Sequence, residues 1–114
     1  MEWIPLTSFE QLDKIDSDSH NAPIVIFKHS TRCSISAMAK SRMDSGSLAQ
    51  DFPESQAYYL DLLNHRDISN EIEARYRISH ESPQLLIIKD GKCVTHTSHG
   101  GVKYGFVKDA LSKI

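Results

Sequence analysis

From Pro23 to Phe27 the chain reads Pro-Ile-Val-Ile-Phe, a continuous apolar and largely β-branched run with turn-forming residues before it. A strand with one wet face alternates apolar and polar side chains. An unbroken run marks a strand covered on both faces, which demands helices above and below it. This segment is therefore the expected centre of a layered α/β domain, and the remaining elements are read as its coverings and neighbours.

On its N-terminal side, Trp3 to Leu6 is short and apolar, and Pro5 lacks the N–H that a central ladder needs, so an edge strand is expected. Phe9, Leu12 and Ile15 recur at helical spacing, with Ser8 as the cap and Glu10 in the first turn. Ser17 to Asn21 breaks that helix. Beyond Phe27 a helix begins near Cys33, Gly46 ends or interrupts it, Leu48 and Phe52 resume apolar packing, and Pro53 stops it. Ala57 to Leu62 reads as a second buried strand, and Asp67 to Ile78 as a helix with Ile68, Ile72, Arg75 and Tyr76 in register. Gln84 to Lys89 and Lys92 to Thr97 flank Asp90-Gly91, the dipeptide of a tight hairpin. After Gly100-Gly101, Phe106, Val107, Ala110 and Leu111 define a closing amphipathic helix. The order is β-α-β-α-β-α-β-β-α, and right-handed crossovers place the helices over both faces of one sheet.

The chain has 114 residues, enough for one domain spanning 1–114. With 39% hydrophobic and 25% charged residues it is globular in composition. Thirteen basic against 15 acidic side chains leave no basic surface for nucleic acid. No run of about 18 apolar residues exists to span a membrane. Two cysteines are too few for a disulfide scaffold and fit no short-spaced zinc motif, and Glu2 stands where a signal peptide carries basic residues. A cytoplasmic, reducing location is expected.

Cys33 is the candidate for chemistry because it falls between a central strand and the first turn of a helix. Free backbone N–H groups and the helix dipole favour a thiolate there, and Arg32 adds positive charge. The competing reading is a small buried hydrophobe. Ser36 completes C-x-x-S, so any redox cycle uses one protein thiol, and its hydroxyl is placed to donate to the sulfur. Pro83, read from the residues alone, is more commonly a trans proline opening a strand. Gly100-Gly101 is either a plain turn or an anion-holding helix start assisted by Lys103. His29 is read as a packing residue at least as readily as a functional one. Cys93, beyond the hairpin turn, is expected too far from Cys33 to form a disulfide with it. Tyr58, Tyr59, Met38 and Met43 are assigned to packing.

Phe27 to Ser36, Phe-Lys-His-Ser-Thr-Arg-Cys-Ser-Ile-Ser, followed by Glu81 to Lys92, Glu-Ser-Pro-Gln-Leu-Leu-Ile-Ile-Lys-Asp-Gly-Lys, resembles the thioredoxin superfamily, and within it the monothiol bacilliredoxins. The resemblance covers essentially the whole chain. Its one departure is Ser34 where the family pattern Thr-x-Cys-Pro-Ile-Ser has proline, which loosens the helix start without removing the nucleophile. The resemblance implies a three-layer α/β/α sandwich with a central mixed sheet, Pro83 as a cis proline facing Cys33, and Cys33 as the catalytic residue. Arg32, Ser36 and His99 would support it, and Thr31, Ser34, Ser82, Pro83, Gly100 and Gly101 would contact the substrate. The implied co-substrate is bacillithiol, the clients are S-thiolated proteins, and no bound cofactor or metal is implied. A glutathione- or coenzyme A-linked monothiol enzyme, and a noncatalytic module or iron-sulfur carrier on the same fold, stand as alternatives.

Overall fold

The computed structural model describes residues 1–114. Strands β1 (Trp3–Pro5), β2 (Ile24–His29), β3 (Gln56–Asp61), β4 (Gln84–Lys89) and β5 (Lys92–Ser98) form one sheet in the order β1-β3-β2-β4-β5. Strand β2 lies at its centre, parallel to β3 and antiparallel to β4, so the sheet is mixed. All six of its residues are buried. It runs two residues past Phe27 because Lys28 and His29, which polarity alone would place in a loop, continue the ladder against Leu60 and Asp61.

The helices are α1 (Phe9–Asp18), α2 (Ser34–Asp44), the single turn α3 (Leu48–Asp51), α4 (Arg66–Tyr76) and α5 (Tyr104–Ser112). Leu12 and Ile15 of α1 and Ile68, Ile72 and Tyr76 of α4 pack on Ile24, Ile26, Leu60 and Leu86. On the other face Ala39 and Met43 of α2, Leu48 of α3, and Val107 and Leu111 of α5 cover Val25, Phe27, Leu85 and Ile87. Period-2 alternation along β2 thus feeds two separate cores, one per face.

Local chemistry fixes the joints. Ser8 caps α1 through a capping box with Gln11. Helix α4 stops two residues short of Ile78, because Arg77 turns left-handed at φ 59°. Asp90 and Gly91 both have positive φ, as a hairpin that follows the strand twist requires. At Gly46 a Cβ would lie 2.2 Å from the Tyr104 ring, so glycine lets α5 close over the end of α2. No helix is long and apolar enough to cross a membrane.

Candidate active site

Strand β2 ends at His29, the chain turns through Ser30 to Arg32, and Cys33 is the N-cap of α2. The turn is closed by Cys33 N–H donating to Ser30 O at 3.2 Å, and Cys33 O accepts the first helical bond from Ala37 N–H at 3.0 Å. Cys33 is a free thiol, partly exposed, and its side chain makes no capping bond. The sulfur thus sits at the N-terminal, positive end of α2 with no hydrogen-bond partner in the chain. Thr31, Arg32 and Ser34 around it are all exposed.

Ser36 is fully buried, and its hydroxyl does not serve the sulfur as the C-x-x-S spacing led us to expect. Its Oγ accepts from Ser30 N–H at 3.1 Å and lies 2.6 Å from His29 Nδ1. Ser36 Oγ thus bridges the Ser30 backbone and the His29 ring, joining the turn to the end of β2. Burial, reinforced by the Lys40 ammonium, holds His29 below the ordinary imidazole value, so the ring is neutral at pH 7. His29 also stacks with Phe27 and Tyr59 at centroid distances of 5.4 Å. The histidine that sequence reasoning treated as packing is thus the anchor of the active-site turn. Ser36→Ala is expected to leave Ser30 N–H without its partner and to cost about 1–3 kcal/mol, read by urea unfolding.

The Ser82–Pro83 peptide is cis, as the family resemblance implied. It immediately precedes Gln84, which pairs with Lys28 across the β2/β4 ladder, so the proline loop and the Cys33 turn leave the same end of the sheet. His99 joins them by donating its N–H to Pro83 O at 3.0 Å, while its Nε2 meets Glu81 at 3.0 Å. The Ser98 hydroxyl, and then His99, hold the Glu81 carboxyl below the usual range. Arg42 of α2 ties this segment down by donating to His99 O and Val102 O.

Two expectations are corrected here. Gly100-Gly101 does not open the last helix: both residues lie in a 3-10 turn, His99–Gly101, and α5 starts at Tyr104 with Lys103 as its cap. Gly101 packs closely on β5, where a Cβ would sit 2.0 Å from Thr97 Oγ1 and force that side chain to turn away. Met38 does not pack in the core. Its side chain is 62% exposed, next to Ile35 at 59%, and the two form an apolar surface on α2 beside Cys33. Met43, by contrast, is fully buried, Tyr58 is buried, and Tyr59 joins the Trp3–Phe27 aromatic cluster.

Cys93 lies opposite Ile88, which pairs with Ile24 at the start of β2. Five residue steps along β2 lead from Ile24 to His29, so the two cysteines are on the order of 17 Å apart along the sheet. Burial pushes the Cys93 thiol up to about 11, and Sγ donates to Thr95 O. At pH 7 only about one molecule in 10⁴ carries a Cys93 thiolate. Brief treatment with iodoacetamide is accordingly expected to give one adduct, mapped to Cys33 by peptide mass spectrometry.

Solved structures share this architecture. One protein described as having a thioredoxin fold is 29% identical, with a TM-score of 0.79 over 94% of this chain and 91% of its own. Thioredoxin of Fasciola hepatica is 21% identical, with a TM-score of 0.69 and 96% of each chain covered. Thioredoxin of Trypanosoma brucei brucei is 20% identical, with a TM-score of 0.72 over 98% and 89%. The fold is thioredoxin-like, and its single candidate redox cysteine, Cys33, is consistent with monothiol chemistry. Residues 4–106 match the model of the family described as monothiol bacilliredoxin BrxC. A lone thiol at the start of α2, a serine where a second cysteine would resolve it, and a match over nearly the full length place the chain in the monothiol bacilliredoxin family of oxidoreductases.

Proposed function

We propose that this protein removes bacillithiol from S-bacillithiolated client proteins. The Cys33 thiolate attacks the bacillithiol sulfur of the mixed disulfide. A Cys33–bacillithiol bond forms as the client S–S bond breaks, and the client thiolate leaves with the electron pair and takes a proton from water. No net oxidation occurs in this step. A second low-molecular-weight thiol, or a reductase, then clears Cys33 by the same exchange.

The observation that carries this reading is the isolation of Cys33: a partly exposed thiol at a helix N-terminus with no second cysteine within disulfide reach. The cis Ser82–Pro83 segment offers extended backbone to a peptide-like ligand, and exposed Ile35 and Met38 offer an apolar surface to a client. We assign substrate contact to Thr31 and Ser34 of the Cys33 turn, to Ser82 and Pro83, and to Gly100 and Gly101, with Arg32 and His99 in support; His99 N–H donates to Pro83 O. Two unpaired cysteines fit a reducing, cytoplasmic location, and all 114 residues are read as a single working unit.

Intact mass spectrometry after separate incubation with oxidised bacillithiol and oxidised glutathione tests the reading. We expect a bacillithiol adduct on Cys33, formed faster than any glutathione adduct. Exclusive glutathionylation overturns it in favour of a glutathione-linked enzyme.

A further inference from the structure

Immediately beside the Cys33 turn, Thr31, Arg32, Leu63, Asn64 and Arg66 line an open cleft of about 320 Å³. Arg32 comes from the turn that presents the sulfur, and Arg66 is the first residue of α4. Neither guanidinium makes an ion pair or hydrogen bond within the chain, although acidic side chains outnumber basic ones 15 to 13. Arg75, by comparison, gathers Asp13, Asp16 and Glu71. Asp61 accepts from Asn64 Nδ2 at 2.7 Å and pairs with neither arginine. Asp67 accepts from Ile68 N–H and likewise leaves Arg66 free. The N-cap of α4, His65, makes no side-chain capping bond, and the first-turn carboxylate of Asp67 is spent on its own helix.

Two exposed guanidiniums lining one open cleft without a counter-ion leave it positively charged, and an anion held there is attracted by both. The guanidinium fork suits carboxylates in particular. We propose that the Arg32–Arg66 cleft binds the carboxylate-bearing end of the small thiol while its sulfur is joined to Cys33. Selectivity for a doubly carboxylated thiol over a neutral one then resides on this side of the sulfur, away from Gly100-Gly101. The inference rests on the proposed bacillithiol chemistry and assigns its recognition site.

The test uses one client peptide carrying bacillithiol, coenzyme A or β-mercaptoethanol as its disulfide partner. The intact protein and its Arg66→Gln and Arg66→Lys variants are compared on all three. Arg66→Gln is expected to lower the kcat/KM ratio of the bacillithiol to the β-mercaptoethanol substrate about tenfold, mainly through KM, as loss of one exposed charge-assisted contact would. Arg66→Lys restores part of the ratio, and added salt erodes it in the parent. A ratio unchanged within twofold, or a fall confined to the coenzyme A substrate, overturns the proposal. Failure of the parent on every mixed disulfide would instead remove the proposed function. The cleft is then read separately, by binding of S-methyl bacillithiol to Cys33→Ser protein and its loss in Cys33→Ser/Arg66→Gln.

Discussion

Cys33→Ser is expected to lower the rate of client release from a bacillithiolated substrate by about a thousandfold or more, since no other group supplies a nucleophile. The substitution is close to isosteric, and serine is a favoured residue at the N-cap that Cys33 occupies, so the fold should persist with an unchanged circular dichroism spectrum and a denaturation midpoint no lower than the parent's. A serine variant that retains a tenth of the parent rate would show that the chemistry lies elsewhere. Cys93→Ser provides the contrast: its thiol is partly buried, held protonated and remote from the turn, and turnover should stay within twofold of the parent.

The largest effect on stability is expected at Lys28. Its side chain is fully buried in β2, and its Nζ has no hydrogen-bond partner. Burial pulls its pKa down to about 8, against a small opposing pull from Glu73. Below pH 8 both folded and unfolded chains carry the ammonium, and the folded chain bears the cost of keeping it out of water. Between about 8 and the ordinary lysine value near 10.5 the folded chain has lost the proton while the unfolded chain keeps it, so stability rises with pH through that window. Lys28→Met, similar in length and uncharged, should therefore be more stable than the parent at pH 7 by about 3 kcal/mol. That gain should shrink towards zero above pH 10.5. Urea unfolding of both proteins at pH 7, 9 and 10.5 measures it, and parallel curves with no gain for methionine would refute the argument.

Lys28 also shows why part of this molecule was legible in the sequence and part was not. The run from Pro23 to Phe27, the Asp90-Gly91 turn and the helical spacing of Phe9, Leu12 and Ile15 are local signals, and each produced the element it predicted. Cys33 was readable for the same reason, because a strand end and a helix start meet there. Lys28 and His29 carry no local sign of burial; they are held in β2 by pairing with β3 and β4, which lie far along the chain. Ser36 looked like a partner for the sulfur because spacing gives proximity along the helix but not the direction of a hydroxyl. The contact of Gly101 with Thr97 and the gathering of Arg66 beside Arg32 exist only once the sheet and α4 are assembled. Met38 is different. Ser36, Ala39 and Met43 are the buried residues of α2 and share one face, and Met38 falls on the other, so a count outward from Met43 places it in solvent.

The distance between the two cysteines has a kinetic consequence. Enzymes of this fold with a resolving thiol can eject a trapped adduct by internal disulfide formation, whereas an adduct on Cys33 has no such escape. Each molecule would wait in its loaded form until an outside thiol arrives. Double-reciprocal plots should then be parallel, and the loaded fraction at steady state should track how much reduced thiol the surroundings hold, making the protein a gauge of that reserve as well as a consumer of it.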